Sequence, residues 1–222
     1  MDDVAASLPL PSSLMLLLTR DDGRHDVDGG TLDAALAGCV LAELALHGHV
    51  VLDEEAVVAA PEVDAPPAGV VAEALARIEA EPRHRGPEWW VSRLSGPSLR
   101  TAVAEDLVAR GLLERVDRKV LGLFRTTSWP EADGAPEARL RTRIADVLAD
   151  RAEPTAETAA LVGLLDVTGV LEDQFGDVRE EALARVTGGQ WASPAVRAVL
   201  DEIAVVVLVA TTVAITTSTA TS

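Results

Sequence analysis

Tyrosine is missing from this 222-residue sequence, and lysine occurs once, as Lys119. Aromatic residues make up 3% of a chain that is 48% hydrophobic, so the core has to be built from alanine, valine and leucine, which favour helices over sheets. A single cysteine, Cys39, excludes an intrachain disulfide and fits a reducing cytoplasm. The opening Met1-Asp2-Asp3 is acidic where a secretory leader needs positive charge, and no export signal is expected. The last apolar run, Ile203 to Val213, is interrupted by Thr211 and Thr212 and falls short of the roughly 20 residues that span a bilayer. It reads as a buried terminal helix. Absent as well are a Gly-rich phosphate loop, a nucleophile elbow and a Cys/His cluster of conventional metal spacing, so neither an enzyme nor a bound cofactor is expected. No internal repeat marks a solenoid.

Basic charge is the other shortage. Lys and Arg number 19 against 36 Asp and Glu, a net charge of −17, which excludes a protein that binds nucleic acid or anionic lipid over its whole surface. Any such contact must be local. The bias to arginine and alanine points to a GC-rich bacterial genome.

What is present is helical periodicity. Ser12 or Ser13 is placed to cap a short apolar helix over Leu14 to Leu18, ended by Asp21-Asp22-Gly23. Thr31 then caps a second, in which Leu32, Leu36, Cys39, Val40 and Leu44 recur at helical spacing before Gly48. Val50 to Leu52 reads as a short extended piece and Pro61 to Gly69 as a surface loop. Further helices are expected over Val70 to Ala80, around Trp89 to Leu94, from a Ser98 cap to Gly111, over Glu137 to Ala149, Thr155 to Phe175 and Val178 to Arg185, and from Pro194. The exception lies between Leu112 and Thr127, where two extended runs flank a polar Asp117-Arg118-Lys119 turn and predict a β-hairpin. The expected fold is mainly α: residues 1–7 a tail, 8–215 a single globular helical domain with a projecting hairpin at 112–127, and 216–222 a second tail.

The hairpin carries the clearest functional signal. From Arg110 to Arg125 it holds five cations (Arg110, Arg115, Arg118, Lys119, Arg125) against Glu114 and Asp117, a local net of +3 in an acidic chain. Its apolar set, Leu112, Leu113, Val116, Val120, Leu121, Leu123 and Phe124, is more than a two-stranded ribbon buries against itself. Core, partner or anionic lipid must cover some of it.

Ser13-Leu14-Met15-Leu16-Leu17-Leu18 with Asp21-Asp22-Gly23, and Leu36-Ala37-Gly38-Cys39-Val40-Leu41-Ala42-Glu43-Leu44-Ala45-Leu46-His47-Gly48, resemble the N-terminal signature of the GPP34 (Golgi phosphoprotein 3) family. Asp106 to Leu113, Phe124 to Thr127 and Val170 to Phe175 resemble its later blocks in order and spacing, with coverage from about Leu8 to Leu208. The resemblance implies a mainly helical domain, no catalysis, peripheral attachment to membranes and recognition of phosphatidylinositol 4-phosphate. In eukaryotic members it also implies an adaptor role that retains glycosyltransferases. The implied location is cytoplasmic, on the cytoplasmic membrane face, with membrane lipids, a protein client and a second copy of the chain as partners. The family's projecting hairpin, implicated in membrane contact and oligomerisation, falls on Leu113 to Thr126, which includes Arg115, Val116, Arg118, Lys119, Val120, Leu121, Leu123, Phe124 and Arg125. Of its headgroup ligands, the tryptophan position falls on Asp28 and two arginine positions on Ala37 and Pro97, so only the third, Arg100, is kept. Each lost arginine forfeits roughly 1.5 to 3 kcal/mol of charge-assisted hydrogen bonding, which weakens the expectation of phosphoinositide specificity.

Other readings stand beside these. Leu99 to Arg110 with the hairpin as its wing resembles a winged helix, with Arg100 and Arg110 near phosphates, but Glu105 and Asp106 on the same helix disfavour nucleic acid. Glu43, His47 and His49 gather at a helix end without a standard zinc spacing and read as polar terminal residues. Asp166 is either a buried carboxylate or part of an exposed stripe. Trp89 and Trp90 cannot both face the core, which leaves one of them available for exposure, and Trp129 is the better interfacial anchor unless it packs in the core.

Overall fold

Asp28 starts the central helix. In the computed structural model, which describes residues 8–61, 68–120, 124–189 and 194–219, its carboxylate accepts hydrogen bonds from the N–H groups of Gly30 (2.8 Å) and Thr31 (3.1 Å) and from the Thr31 hydroxyl (2.6 Å). The cap predicted at Thr31 therefore sits three residues earlier, because Asp28 reaches the free N–H groups that Thr31 itself contributes. The helix, α2 (Gly29–Leu46), is buried almost throughout its length. It is long and apolar enough to cross a membrane by length and composition, yet 78% of it is buried inside the fold, as befits a core helix.

Around it stand α1 (Leu10–Leu17), α3 (Gly69–Ala80), α4 (Pro87–Leu94), α5 (Pro97–Ala109), α7 (Ala156–Val167) and α10 (Pro194–Thr219). Helices α6 (Ala135–Leu148), α8 (Leu171–Phe175) and α9 (Glu180–Thr187) form an outer tier on α1 and α7. Gly38 sets the closest approach, since a Cβ there would fall 2.9 Å from Val207 and 3.0 Å from Ile203 on α10. The terminal helix is expected to be buried, but among its described side chains only the Val199, Ile203 and Val207 side is. Val205, Leu208 and Val209 are exposed.

Several helix starts differ from expectation. Ser12 and Ser13 lie inside α1, which begins at Leu10 after Pro9, and Glu43 on α2 supplies the missing cap by accepting the Leu10 N–H at 2.8 Å. Helix α5 begins at Pro97, not after Ser98, because proline at the first helical position forfeits no hydrogen bond. The helix expected from Thr155 to Phe175 is two: Thr155 caps α7 through the Thr158 N–H (3.2 Å), and Gly169, at φ +77°, breaks the chain before α8.

Two antiparallel hairpins interrupt the helices. One, β1 (Val50–Asp53) with β2 (Ala56–Ala59), extends the expected piece at Val50 into a pair whose turn is made by Glu54 at φ +53°. The other pairs β3 (Val116–Val120) with β4 (Phe124–Ser128) in the register Asp117↔Thr127, Arg118↔Thr126, Lys119↔Arg125 and Val120↔Phe124. Asp117, Arg118 and Lys119 therefore belong to a strand and are not the turn. The connection falls on 121–123, so Leu121 and Leu123 lie outside the described residues. Leu112 and Leu113 are buried in the core below the strands, and Gly111 ends α5's last turn in the left-handed region at φ +75°, as the sequence predicts.

The segment after α1 is locked to the segment after β4. Gly23 has φ +80°, and a Cβ there would sit 2.6 Å from the Pro130 nitrogen and 2.7 Å from that of Trp129. Gly23→Ala is expected to cost about 1–3 kcal/mol from backbone strain alone, read as a lower urea midpoint with an unchanged slope.

Candidate docking hairpin and headgroup position

Arg100 projects from α5 to the first turn of α2. Its guanidinium donates to the Gly29 carbonyl at 3.2 Å and lies 3.3 Å from Asp33 Oδ1, in ion-pair range without hydrogen-bond alignment. Burial pushes the Asp33 carboxyl above its ordinary range, and the Arg100 charge only partly opposes this. Nearby His25, bonded to the Thr19 hydroxyl at 3.1 Å, is held low by burial and then by Arg100. The other headgroup positions are not assembled with Arg100 into a basic pocket: Asp28 is a helix cap, Ala37 is buried within α2, and Pro97 opens α5. One guanidinium thus stands beside the Asp33 carboxylate, which the Asp28 charge also reaches. Reading the sequence missed Asp33. Its only signal there was a charged residue between Leu32 and Leu36 on an otherwise apolar helix.

At the hairpin the basic charge divides in two. Near the base, Arg110 pairs with Asp106 at 2.7 Å and Arg115 with Glu105 at 2.5 Å and Asp117 at 3.4 Å. Farther along, the register sets Lys119 directly opposite Arg125, with Arg118 adjacent. Like charges at opposed positions destabilise a ribbon in water. Described elements pack only sparsely on β3 and β4, whose main contacts are with each other.

Other candidates resolve plainly. Trp129 is buried at 7% exposure beneath the Arg115 guanidinium, 5.7 Å from its ring, and so is no interfacial anchor. Trp90 is buried at 2% exposure while Trp89 is half-buried under Arg85 at 4.8 Å. Asp166 is on the exposed stripe, its carboxyl raised by partial burial and by Glu172. Glu43 is spent on the Leu10 N–H, and no metal-holding group of three or more His, Cys, Asp or Glu exists among the described residues. Arg100 and Arg110 both turn to carboxylates of this chain, which gives the winged-helix alternative no support.

The model of the family described as Golgi phosphoprotein 3 (GPP34) matches residues 10–203. The chain belongs to the GPP34 family. A comparison with curated proteins gives no match. In this GPP34 protein the signature block Leu36 to Gly48 is the C-terminal part of the buried α2 and its stop, so the residues that carry the resemblance are chiefly core residues.

Because Asp33 binds a proton more readily folded than unfolded, it contributes less stability as pH rises above the ordinary carboxyl value of 3.8. Asp33→Asn is therefore expected to be more stable than wild type at pH 7. Urea titrations should show that advantage vanish below about pH 3.8, where wild-type Asp33 is itself neutral.

Proposed function

We propose that this GPP34 protein is a non-enzymatic peripheral membrane protein that docks reversibly on anionic lipid at the cytoplasmic membrane face through β3 and β4, positioned as an adaptor for a protein client. The observation that carries the reading is the strand register. It moves polar Asp117-Arg118-Lys119 into a strand and leaves Leu121-Gly122-Leu123 as the connection, where hairpin loops ordinarily carry polar turn formers. An apolar connection followed by Arg118, Lys119 and Arg125 matches a bilayer surface, with lipid tails first and anionic headgroups behind. Each cation near such a surface contributes about 1 kcal/mol and is screened by salt, so the attachment is weak and reversible.

The Arg100 region supports charge-based docking over a phosphoinositide pocket. Asp28 and Asp33 would face the phosphate that Arg100 alone attracts. Flotation with neutral, phosphatidylserine-containing and phosphatidylinositol 4-phosphate-containing vesicles at matched surface charge tests the reading. Wild type is expected to float equally with both anionic sets and to dissociate at high salt. Leu123→Asp and Lys119→Glu should abolish binding, while Arg100→Ala leaves it within about twofold, as expected of a residue engaged within the chain. Binding that requires the phosphoinositide and Arg100, or that survives Leu123→Asp, overturns the proposal.

A further inference from the structure

Apolar exposure on this protein gathers on one helix. Of the large hydrophobic side chains left exposed among the described residues, Val205 (58%), Leu208 (49%) and Val209 (55%) all belong to α10, and the fourth is Val51 at 37%. The three α10 residues fall at i, i+3 and i+4, one stripe of the helix, turned away from the Val199, Ile203 and Val207 side that packs on the core. Val205 and Val209 also line a groove of about 700 Å³ between α10 and α4, to which Pro87 and Val91 of α4 and Ala34 of α2 contribute buried apolar wall. A trough bounded by two helices and apolar along both accepts the apolar edge of a third helix.

Charge decides what fills it. The titratable lining residues are Glu55 in the β1–β2 turn, Glu88 on α4 and Glu202 on α10, and each is exposed and makes no ion pair or hydrogen bond among the described residues. No cation lines the groove. Arg85, next to its Gly86 edge, is occupied elsewhere, 4.8 Å over the Trp89 ring and 3.8 Å from Glu81. Three uncompensated carboxylates disfavour two occupants. A second copy that presented the same face would set acid against acid, and an anionic lipid surface would be repelled. An apolar strip flanked by cations answers both the exposed valines and the carboxylates.

We propose that the α4–α10 groove receives a cationic amphipathic helix of a protein partner, its apolar face covering Val91, Val205 and Val209 while flanking lysines or arginines pair with Glu55, Glu88 and Glu202. The proposal rests on the adaptor reading only in requiring a client, and it uses no part of the hairpin. Calorimetry of the full chain with a synthetic amphipathic leucine–lysine helix tests it, beside a scramble of the same composition and a counterpart with glutamate in place of lysine. Valine-methyl NMR locates the contact. Saturable one-to-one binding is expected, about tenfold or more tighter than the scramble, with shifted Val91, Val205 and Val209 methyls and no uptake of the glutamate peptide. The double variants Val205→Asn with Val209→Asn, and Glu88→Gln with Glu202→Gln, should each weaken it about tenfold, while Glu180→Gln with Glu181→Gln on α9 has no effect. All these side chains except the methyl reporter Val91 are exposed, so a fold defect does not mimic the result. Leu123→Asp should abolish vesicle flotation and leave peptide binding intact, which separates failure of this proposal from failure of the membrane reading. No binding, equal binding of the scramble, or equal sensitivity to the α9 pair overturns the proposal. So does a dimer, or vesicle flotation, that the Val205→Asn with Val209→Asn variant loses, since a second copy or lipid would then cover this face.

Discussion

Everything else in the molecule is arranged around the need to bury α2 on all sides. Its eighteen residues include leucine, valine, alanine and Cys39 at nearly every angle, so one covering layer does not suffice and six helices close around it. The covering helices must come close, and Gly38 permits this by letting Val207 and Ile203 of α10 reach the helix backbone. Burial of so much apolar surface is the main stabilising term. It also dictates where polar groups can be tolerated: Glu43 reaches the edge of the core to cap α1, Asp28 caps α2 and Asp33 lies in its second turn.

That constraint explains what could and could not be read from the chain. Leu32, Leu36, Cys39, Val40 and Leu44 share a helical spacing that survives any packing, and Gly111 stops α5 because only a residue without Cβ adopts its φ at low cost. Caps were harder. Ser12, Thr31 and Ser98 are all residue types that favour a cap, and each yielded to a neighbour, Pro9, Asp28 and Gly96 respectively, because a proline at the first turn or, for α2, a carboxylate three residues earlier fixed the start instead. The β1–β2 pair escaped notice because its turn residue at positive φ is Glu54, where glycine or asparagine would have announced it.

The most informative error concerns the main hairpin. Polar residues mark turns and apolar residues mark strands in most hairpins, and that rule put the turn at Asp117 to Lys119. The register reverses it. Under the proposed membrane reading this is a place where function overrides a local rule, since an apolar connection backed by cations suits a lipid surface. Arg100 matches the family position by spacing, and the fold adds what spacing does not carry, the Asp33 carboxylate beside it. In the proposed reading, membrane attachment and headgroup specificity, which the family resemblance bundles together, fall on two different places, the basic hairpin and the arginine beside Asp33.

Depth-dependent quenching of a probe on the hairpin tests the central claim most directly. Cys39 is fully buried, so a Leu121→Cys variant can be labelled selectively with an environment-sensitive fluorophore, with Val209→Cys on α10 as the comparison. On adding phosphatidylserine vesicles that carry brominated acyl chains, the account predicts a blue-shifted and quenched signal at position 121 and an unchanged one at 209. A silent probe at 121, or quenching confined to 209, would contradict it.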